Sequence, residues 1–326
     1  MINYPLKFKP ILQEKIWGGE KLKRILHKDT ESHNIGESWE ISDVDQHISI
    51  VSNGHLRGKS LQELISTYKG ALVGDKVYQN FGNKFPLLIK FIDAAKPLSI
   101  QLHPDDALAR KRHNSFGKTE MWYVMQADED ANLIVGFNRK VNKSEYLQHL
   151  KNKTLTEILN FDHVKEGDVY FIPTGRVHAI GAGVVLAEIQ QTSDITYRIY
   201  DWDRQDDQGN YRDLHTENAL DAIDFSIQND YKTTYTKYLN KISYIIHCQY
   251  FTTNIVSIDK EINMNNTDKD SFVIYMCVKG EVGFKLGGSE TEKISKGETI
   301  LIPASLNQFI LDPVKHTELL EVFIKS

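Results

Sequence analysis

The 326-residue chain reads as mainly β, with antiparallel strands arranged as closed barrels or sandwiches rather than as βαβ units. Three observations carry that reading. Short runs of alternating apolar and polar residues recur along most of the chain. Helical periodicity is confined to a few brief segments. One strand-and-turn pattern occurs in both the middle and the C-terminal part.

The alternating runs are "SWEISDV", "HISIVSNG", "DVYFIPTG", "VVLAEIQQ", "DITYRIYD", "TTNIVSIDKEI", "SFVIYMCVKGEVGFKL" and "ETILIPA", separated by turn residues. Among the helical signals, Ser60–Tyr68 opens on a serine cap with Glu63 three residues later, the spacing of a capping box. Asp105–His113 opens on two aspartates, which suit the unpaired amides of a helix start. "SEYLQHLKN" and "TLTEILNF" extend this into a small helical insertion over roughly 105–159, and "TENALDAIDFS" follows the strand-rich middle.

The internal repeat is the most informative feature. "EGDVYFIPTGRVHAI" carries Gly167, Pro173 six residues on and His178 eleven on; "KGETILIPASLNQFI" carries Gly297, Pro303 and Gln308 at the same offsets. Glycine turns the chain, a short strand follows, and proline marks the strand's end. Two copies of one β-barrel unit are therefore expected: a catalytic barrel over 1–230 and a C-terminal barrel over 231–326 that lacks the histidine.

Composition narrows the function. With 40% hydrophobic and 25% charged residues and a net charge of −5, the chain gives no sign of the basic surface that nucleic acid requires. No run of 18 apolar residues is present to span a bilayer, and the N-terminus lacks a basic-then-apolar leader, which points to the cytoplasm. Cys248 and Cys277 lie in apolar stretches and read as buried thiols. A small anionic substrate, held by a few local cations, remains compatible with this balance.

Four polar residues interrupt strand-like runs: Gln101, His103, Glu120 and His178. Each has an ordinary reading when taken alone. Gln101 would be a strand amide, His103 a satisfied core imidazole, Glu120 a carboxylate paired with Lys118, and His178 a turn residue. Gln101 and His103 are two apart in "KPLSIQLHPDD", so on a strand they face one side. Two imidazoles, a carboxylate and an amide oxygen suit Zn²⁺, with Fe²⁺, Mn²⁺ or Co²⁺ as alternatives, and have too few oxygens for Ca²⁺.

The motif Gly167-x5-Pro173-x-Gly175-x2-His178 resembles the second motif of the cupin superfamily. Gln101-x-His103 followed by Glu120 resembles the first, with glutamine in place of its usual first histidine. Within cupins the chain is similar to type I mannose-6-phosphate isomerases of the shorter bacterial form. The matching stretches are "WGG" at 17–19, "GESWEIS" at 36–42, "FPLLIKFIDAAKPLSIQLHPDD" at 85–106, "GKTEMWYV" at 117–124, "FIPTGRVHAIGAG" at 171–183 and "EIQQTSDITYRIYDWDR" at 188–204. The likeness weakens beyond about 220. Longer relatives carry an extra helical domain for which this chain has no room, so the wall of its pocket is expected to differ.

The resemblance implies two cupin barrels and a metal-dependent isomerase, usually a zinc enzyme, acting between mannose 6-phosphate and fructose 6-phosphate through a cis-enediol(ate). It implies Gln101, His103, Glu120 and His178 as ligands of one metal, Arg198 as the active-site arginine, and Lys118 as an active-site lysine serving as base or fixed cation. Ser99, which alternation places beside Gln101, is implied as a phosphate donor with Arg198, and Trp17 as part of the pocket wall. The expected partner is a small phosphorylated sugar, with no nucleic acid and no membrane, and the expected assembly a monomer or weak homo-oligomer. The ligand set alone would also fit an oxygenase-type cupin or a non-catalytic sugar-binding barrel. The extended match around Trp17, Lys118 and Arg198 favours the isomerase.

Overall fold

The computed structural model describes residues 2–206, 208–287 and 289–325. Its first eleven long strands are β1 (Ile11–Gly19), β2 (Ile35–Ile41), β3 (Leu87–Ala94), β4 (Ile100–Leu102), β5 (Glu120–Ala127), β6 (Asn132–Phe137), β7 (Leu159–His163), β8 (Val169–Ile172), β9 (His178–Ile180), β10 (Val184–Gln191) and β11 (Tyr197–Tyr200). They form a six-stranded sheet in the order β1-β2-β3-β10-β5-β8 and a five-stranded sheet in the order β11-β4-β9-β6-β7. All pairings are antiparallel.

A second pair of sheets follows, from β12 (Lys241–His247), β13 (Thr252–Ile258), β14 (Ile262–Asn265), β15 (Val273–Lys279), β16 (Glu281–Leu286), β17 (Ser289–Ser295), β18 (Thr299–Ile302), β19 (Gln308–Pro313) and β20 (Thr317–Phe323). The orders are β12-β13-β20-β15-β18 and β14-β19-β16-β17. Superimposed on the first pair, β3-β10-β5-β8 becomes β13-β20-β15-β18, and β4-β9-β6-β7 becomes β14-β19-β16-β17. The repeat seen in the sequence is therefore a repeat of topology. Gly167 (φ 90°) and Gly297 (φ 88°) make the same left-handed turn into β8 and β18. Both strands end one residue before the proline.

The helical elements are short. Ser60 and Glu63 form the expected capping box on α2 (Leu61–Tyr68). Asp105 caps α5 (Asp106–His113) by accepting from Leu108 N. The stretch 105–159 holds α5, α6 (Lys143–Lys151) and a 3₁₀ turn at Leu155–Ile158, but also β5 and β6, which are central to the first barrel. β5 escapes an alternation reading because its first six residues are all buried. "TLTEILNF" correspondingly runs from the 3₁₀ turn straight into β7, and in 216–226 only α7 (Thr216–Leu220) is helical. Three helices had no sequence signal: α1 (Lys21–Leu26), α3 (Gly70–Val73) and α4 (Asp75–Phe81).

The two barrels pack into one another. A single apolar cluster includes Phe85, Tyr123 and Ile189 of the first barrel with Phe251, Phe272 and Leu320 of the second. Leu6 pairs with Leu301 across the join, and the buried Lys28 binds both Glu40 Oε1 at 2.7 Å and the carbonyl of Gly297 at 2.6 Å. Tyr231 donates to Phe137 O and Tyr235 to Gly167 O, so the connecting chain lies on the first barrel. A Cβ on Gly297 would meet Leu26 Cβ at 2.6 Å and Leu26 O at 2.8 Å, whereas Gly209, also at positive φ, has nothing within 4 Å. Gly297→Ala should therefore lower stability by about 2–4 kcal/mol and Gly209→Ala by about 1 kcal/mol, read from denaturant midpoints. Equal losses would mean that this close approach between α1 and the second barrel carries no weight.

Candidate metal centre and its cavity

The site is assembled from one row of residues on each sheet of the first barrel. Across the six-stranded sheet, Trp39, Lys90, Glu188, Trp122 and Tyr170 stand opposite one another in register. Glu120 lies two residues before Trp122 on β5 and so faces the same side. Across the other sheet, Arg198 pairs with Gln101 and Gln101 with His178. Ser99 and His103 stand two residues either side of Gln101.

His103, Glu120 and His178 are all buried, and their ligating atoms lie within 4.8 Å of one another. His178 Nε2 is 3.4 Å from Glu120 Oε1, His103 Nε2 is 3.5 Å from Glu120 Oε2, and Gln101 Nε2 is 3.4 Å from His178 Nε2. The Nδ1 atom of His103 lies 2.8 Å from Ile195 O and that of His178 2.8 Å from Arg176 O. Each ring thus donates from Nδ1 to a carbonyl and turns an unprotonated Nε2 to the centre, the arrangement metal-binding histidines adopt. Burial depresses both histidines, His103 to well below the ordinary value with Lys118 and His178 adding to it, and His178 to about 3. Both rings are therefore neutral at pH 7.

Glu120 is the clearest indicator. Neither oxygen accepts a well-directed hydrogen bond, although both are buried. Lys118 Nζ lies 3.0 Å from Oε2 and 3.2 Å from His103 Nε2. Burial pushes the Glu120 carboxyl up; Lys118 opposes this and Glu188 reinforces it. A buried carboxylate approached by Lys118 and flanked by two unprotonated imidazole nitrogens presents an N and O donor set that fits a divalent cation. Among the described residues, this is the one such group of His, Cys, Asp and Glu.

The centre opens into a cavity of about 330 Å³ whose wall includes Gln101, Lys118 and His178. Trp17, Ser99 and Arg198 also line it, so every residue singled out from the sequence lies at this centre or in its wall. Trp17 is buried and packs with Ile92 and Trp122 as well. Arg198 donates to Ser99 Oγ at 3.3 Å and to Asp213 O at 2.8 Å, and among the described residues no carboxylate pairs with it. Arg212, by contrast, is engaged by Asp201.

Sequence reasoning missed Lys90 and Glu188. Lys90 Nζ lies 3.1 Å from Glu188 Oε1, 3.9 Å from Glu37 Oε2 and over the Trp39 ring, while Trp122 Nε1 donates to Glu188 Oε2 at 2.7 Å. Burial alone would raise Glu188, but Lys90, then Lys118 and the Trp122 donor, hold it below the usual carboxylate range. Burial would likewise lower Lys90, and Glu188 with Glu37 outweighs it. The available signal was a lysine inside the apolar run 85–92 and a glutamate inside "VVLAEIQQ". Buried charges in such runs need partners.

Comparison with known proteins identifies the family. Residues 6–134 match the family described as phosphomannose isomerase type I, catalytic domain, and residues 240–320 match the mannose-6-phosphate isomerase cupin domain. The mannose-6-phosphate isomerase ManA of Bacillus subtilis is 33% identical over 318 residues, covering 96% of this chain and 97% of that protein. The chain belongs to the type I mannose-6-phosphate isomerase family. The Streptococcus mutans mannose-6-phosphate isomerase is also 33% identical, over 94% of this chain and 95% of its own. A crystal structure of a Bacillus subtilis mannose 6-phosphate isomerase superposes with a TM-score of 0.88 at 30% identity, covering 98% of this chain and 99% of that one. The two-cupin, mainly β fold read from the sequence is the fold of this family, whose members depend on a metal.

The Lys90–Glu188 pair generates a stability prediction. Lys90→Met should cost about 3–5 kcal/mol by stranding a buried carboxylate, and adding Glu188→Gln should restore part of it. Because Glu188 is depressed, its contribution is fully present above the ordinary carboxylate range and is lost progressively as pH falls from there toward about 2. Urea titrations of the wild type and the two variants at pH 7 and pH 3 check both points. A loss below 1 kcal/mol at pH 7 would contradict the pairing.

Proposed function

We propose that this chain is a metal-dependent aldose–ketose isomerase interconverting D-mannose 6-phosphate and D-fructose 6-phosphate through a cis-enediol(ate). The observation that carries this reading is the donor-poor Glu120 between two neutral histidines, at a cavity whose wall holds an unpaired arginine. Gln101, His103, Glu120 and His178 would hold one Zn²⁺, with Mn²⁺, Co²⁺ or Fe²⁺ as substitutes of similar donor preference. Bound there, the cation would supply positive charge that stabilises the enediolate.

The remaining roles fall to the chain's own groups. Arg198, steered by Ser99 and the Asp213 carbonyl, binds the anionic end of the sugar phosphate together with the Ser99 hydroxyl. Trp17 closes the wall beside them. Lys118 sits next to the ligand atoms and faces the cavity. We assign to it the proton that leaves one of C1 and C2 and returns to the other.

The C-terminal barrel holds no ligand set in this reading. Asn265, Val273 and Gln308 occupy the positions that Gln101, Glu120 and His178 hold in the first, as the pairings Gln308–Asn265 and Val273–Ile302 match His178–Gln101 and Glu120–Ile172. We divide the chain into a catalytic and a C-terminal barrel, joined between about residues 230 and 240. We place it in the cytoplasm as a monomer or weak homo-oligomer. Among the described residues no helix is long and apolar enough to cross a membrane.

The test is conversion of mannose 6-phosphate by the purified protein, as isolated, after chelation, and after return of each metal separately. Chelation and His178→Ala should each lower kcat/KM by roughly 10³-fold or more, and metal should restore only the chelated wild type. Lys118→Arg keeps the charge but cannot readily exchange a proton, and should lose kcat with little change in KM. Metal-loaded wild type without activity on this substrate would overturn the proposal.

A further inference from the structure

The segment Gly117–Thr119, which carries Lys118 and leads into Glu120, is fixed by side chains from elsewhere. Asp106 Oδ1 accepts from Gly117 N at 2.8 Å and from Gln191 Nε2 at 3.0 Å. Gln191 Oε1 accepts from Thr119 N at 2.9 Å, and the Gln191 backbone N–H donates to Thr119 O at 3.1 Å. Gly117 approaches so closely that a Cβ there would meet the Asp106 amide at 2.7 Å. The other oxygen of Asp106 accepts from Tyr250 OH at 2.7 Å. Tyr250 belongs to the second barrel, in the turn between β12 and β13 that Cys248 N closes onto Phe251 O at 2.9 Å.

We infer that Tyr250 is a positioning residue lent by the second barrel to the catalytic one. Its hydroxyl holds the Asp106 carboxylate in the one orientation that serves both Gly117 and Gln191. Through them it sets the reach of Lys118 to the centre, 3.0 Å from Glu120 and 3.2 Å from His103. A tyrosine 130 residues further along the chain than Glu120 thus stands two hydrogen bonds from Gly117 and three from Thr119, on either side of Lys118. A carboxylate with three donors converging on it has little freedom to turn; with the hydroxyl gone, it can rotate away from the other two. The catalytic part of the inference rests on the role proposed for Lys118, whereas the positional part does not.

The experiment uses the full-length, metal-loaded protein with Tyr250→Phe, which removes only the hydroxyl, Asp106→Asn, the double variant, and Tyr244→Phe as an exposed control on the same barrel. Amide hydrogen exchange over 117–119 should quicken about tenfold in Tyr250→Phe and in Asp106→Asn, and no further in the double variant. Over the same set kcat should fall about tenfold while KM for mannose 6-phosphate stays within about twofold. Tyr244→Phe should change neither. Exchange at 117–119 equal to wild type in Tyr250→Phe would overturn the inference, as would quickened exchange with unchanged kcat. If the wild type itself does not turn over the sugar phosphate, the proposed function fails while the exchange measurement still decides whether Tyr250 fixes the segment.

Discussion

The structure turns on a carboxylate placed where a carboxylate should not survive. Glu120 is fully buried and neither oxygen has a well-directed donor. An anion so placed costs several kcal/mol unless positive charge is brought to it. Two sheets meet so that their rows supply two neutral imidazole nitrogens, an amide and one ammonium around this group. The backbone carbonyls of Ile195 and Arg176 fix which nitrogen each histidine turns inward. A divalent cation held here would add to the positive charge that Lys118 already brings to Glu120.

The duplicated barrel shows what happens when that demand is lifted. Its counterpart of the Lys90–Glu188–Trp122 row is Asn254–Glu321–Tyr275, in the same register. Tyr275 OH donates to Glu321 at 2.8 Å and Asn254 Nδ2 at 2.7 Å, and Lys269 reaches in from a turn to within 2.7 Å. The central glutamate is thus retained and neutralised by a different lysine, while Val273 stands where Glu120 does. Phe284 and Phe309 stack beside Tyr275 in an interior filled by side chains. One barrel keeps its interior polar and open, and the other closes it with aromatic rings.

How much of this was legible in the sequence depended on whether the physical demand was local. The glycine-to-proline spacing around β8 and β18 was readable because a left-handed turn, a strand and its end are set by neighbouring residues. Gln101 and His103 were readable together because alternation along β4 places them on one side. The Ser60 and Asp105 caps were readable for the same local reason. β5 was readable only as an apolar strand after Glu120, inside a stretch otherwise taken as helical, because burial on both faces erases the alternation that marks a strand. Lys90 and Glu188 were not readable, because their partners lie on different strands and only the register brings them opposite. The family resemblance supplied what periodicity could not, namely that Glu120, seventeen residues after His103, returns to the same centre.

The most direct test of the account is X-ray absorption at the metal edge, with an anomalous difference map from crystals of the metal-loaded protein. The account predicts one site per chain, bonded at about 2.0–2.2 Å by His103 Nε2, His178 Nε2 and Glu120, with Gln101 oxygen nearby and no sulfur neighbour. Metal bound elsewhere, or a thiolate from Cys248 or Cys277 among the ligands, would contradict it.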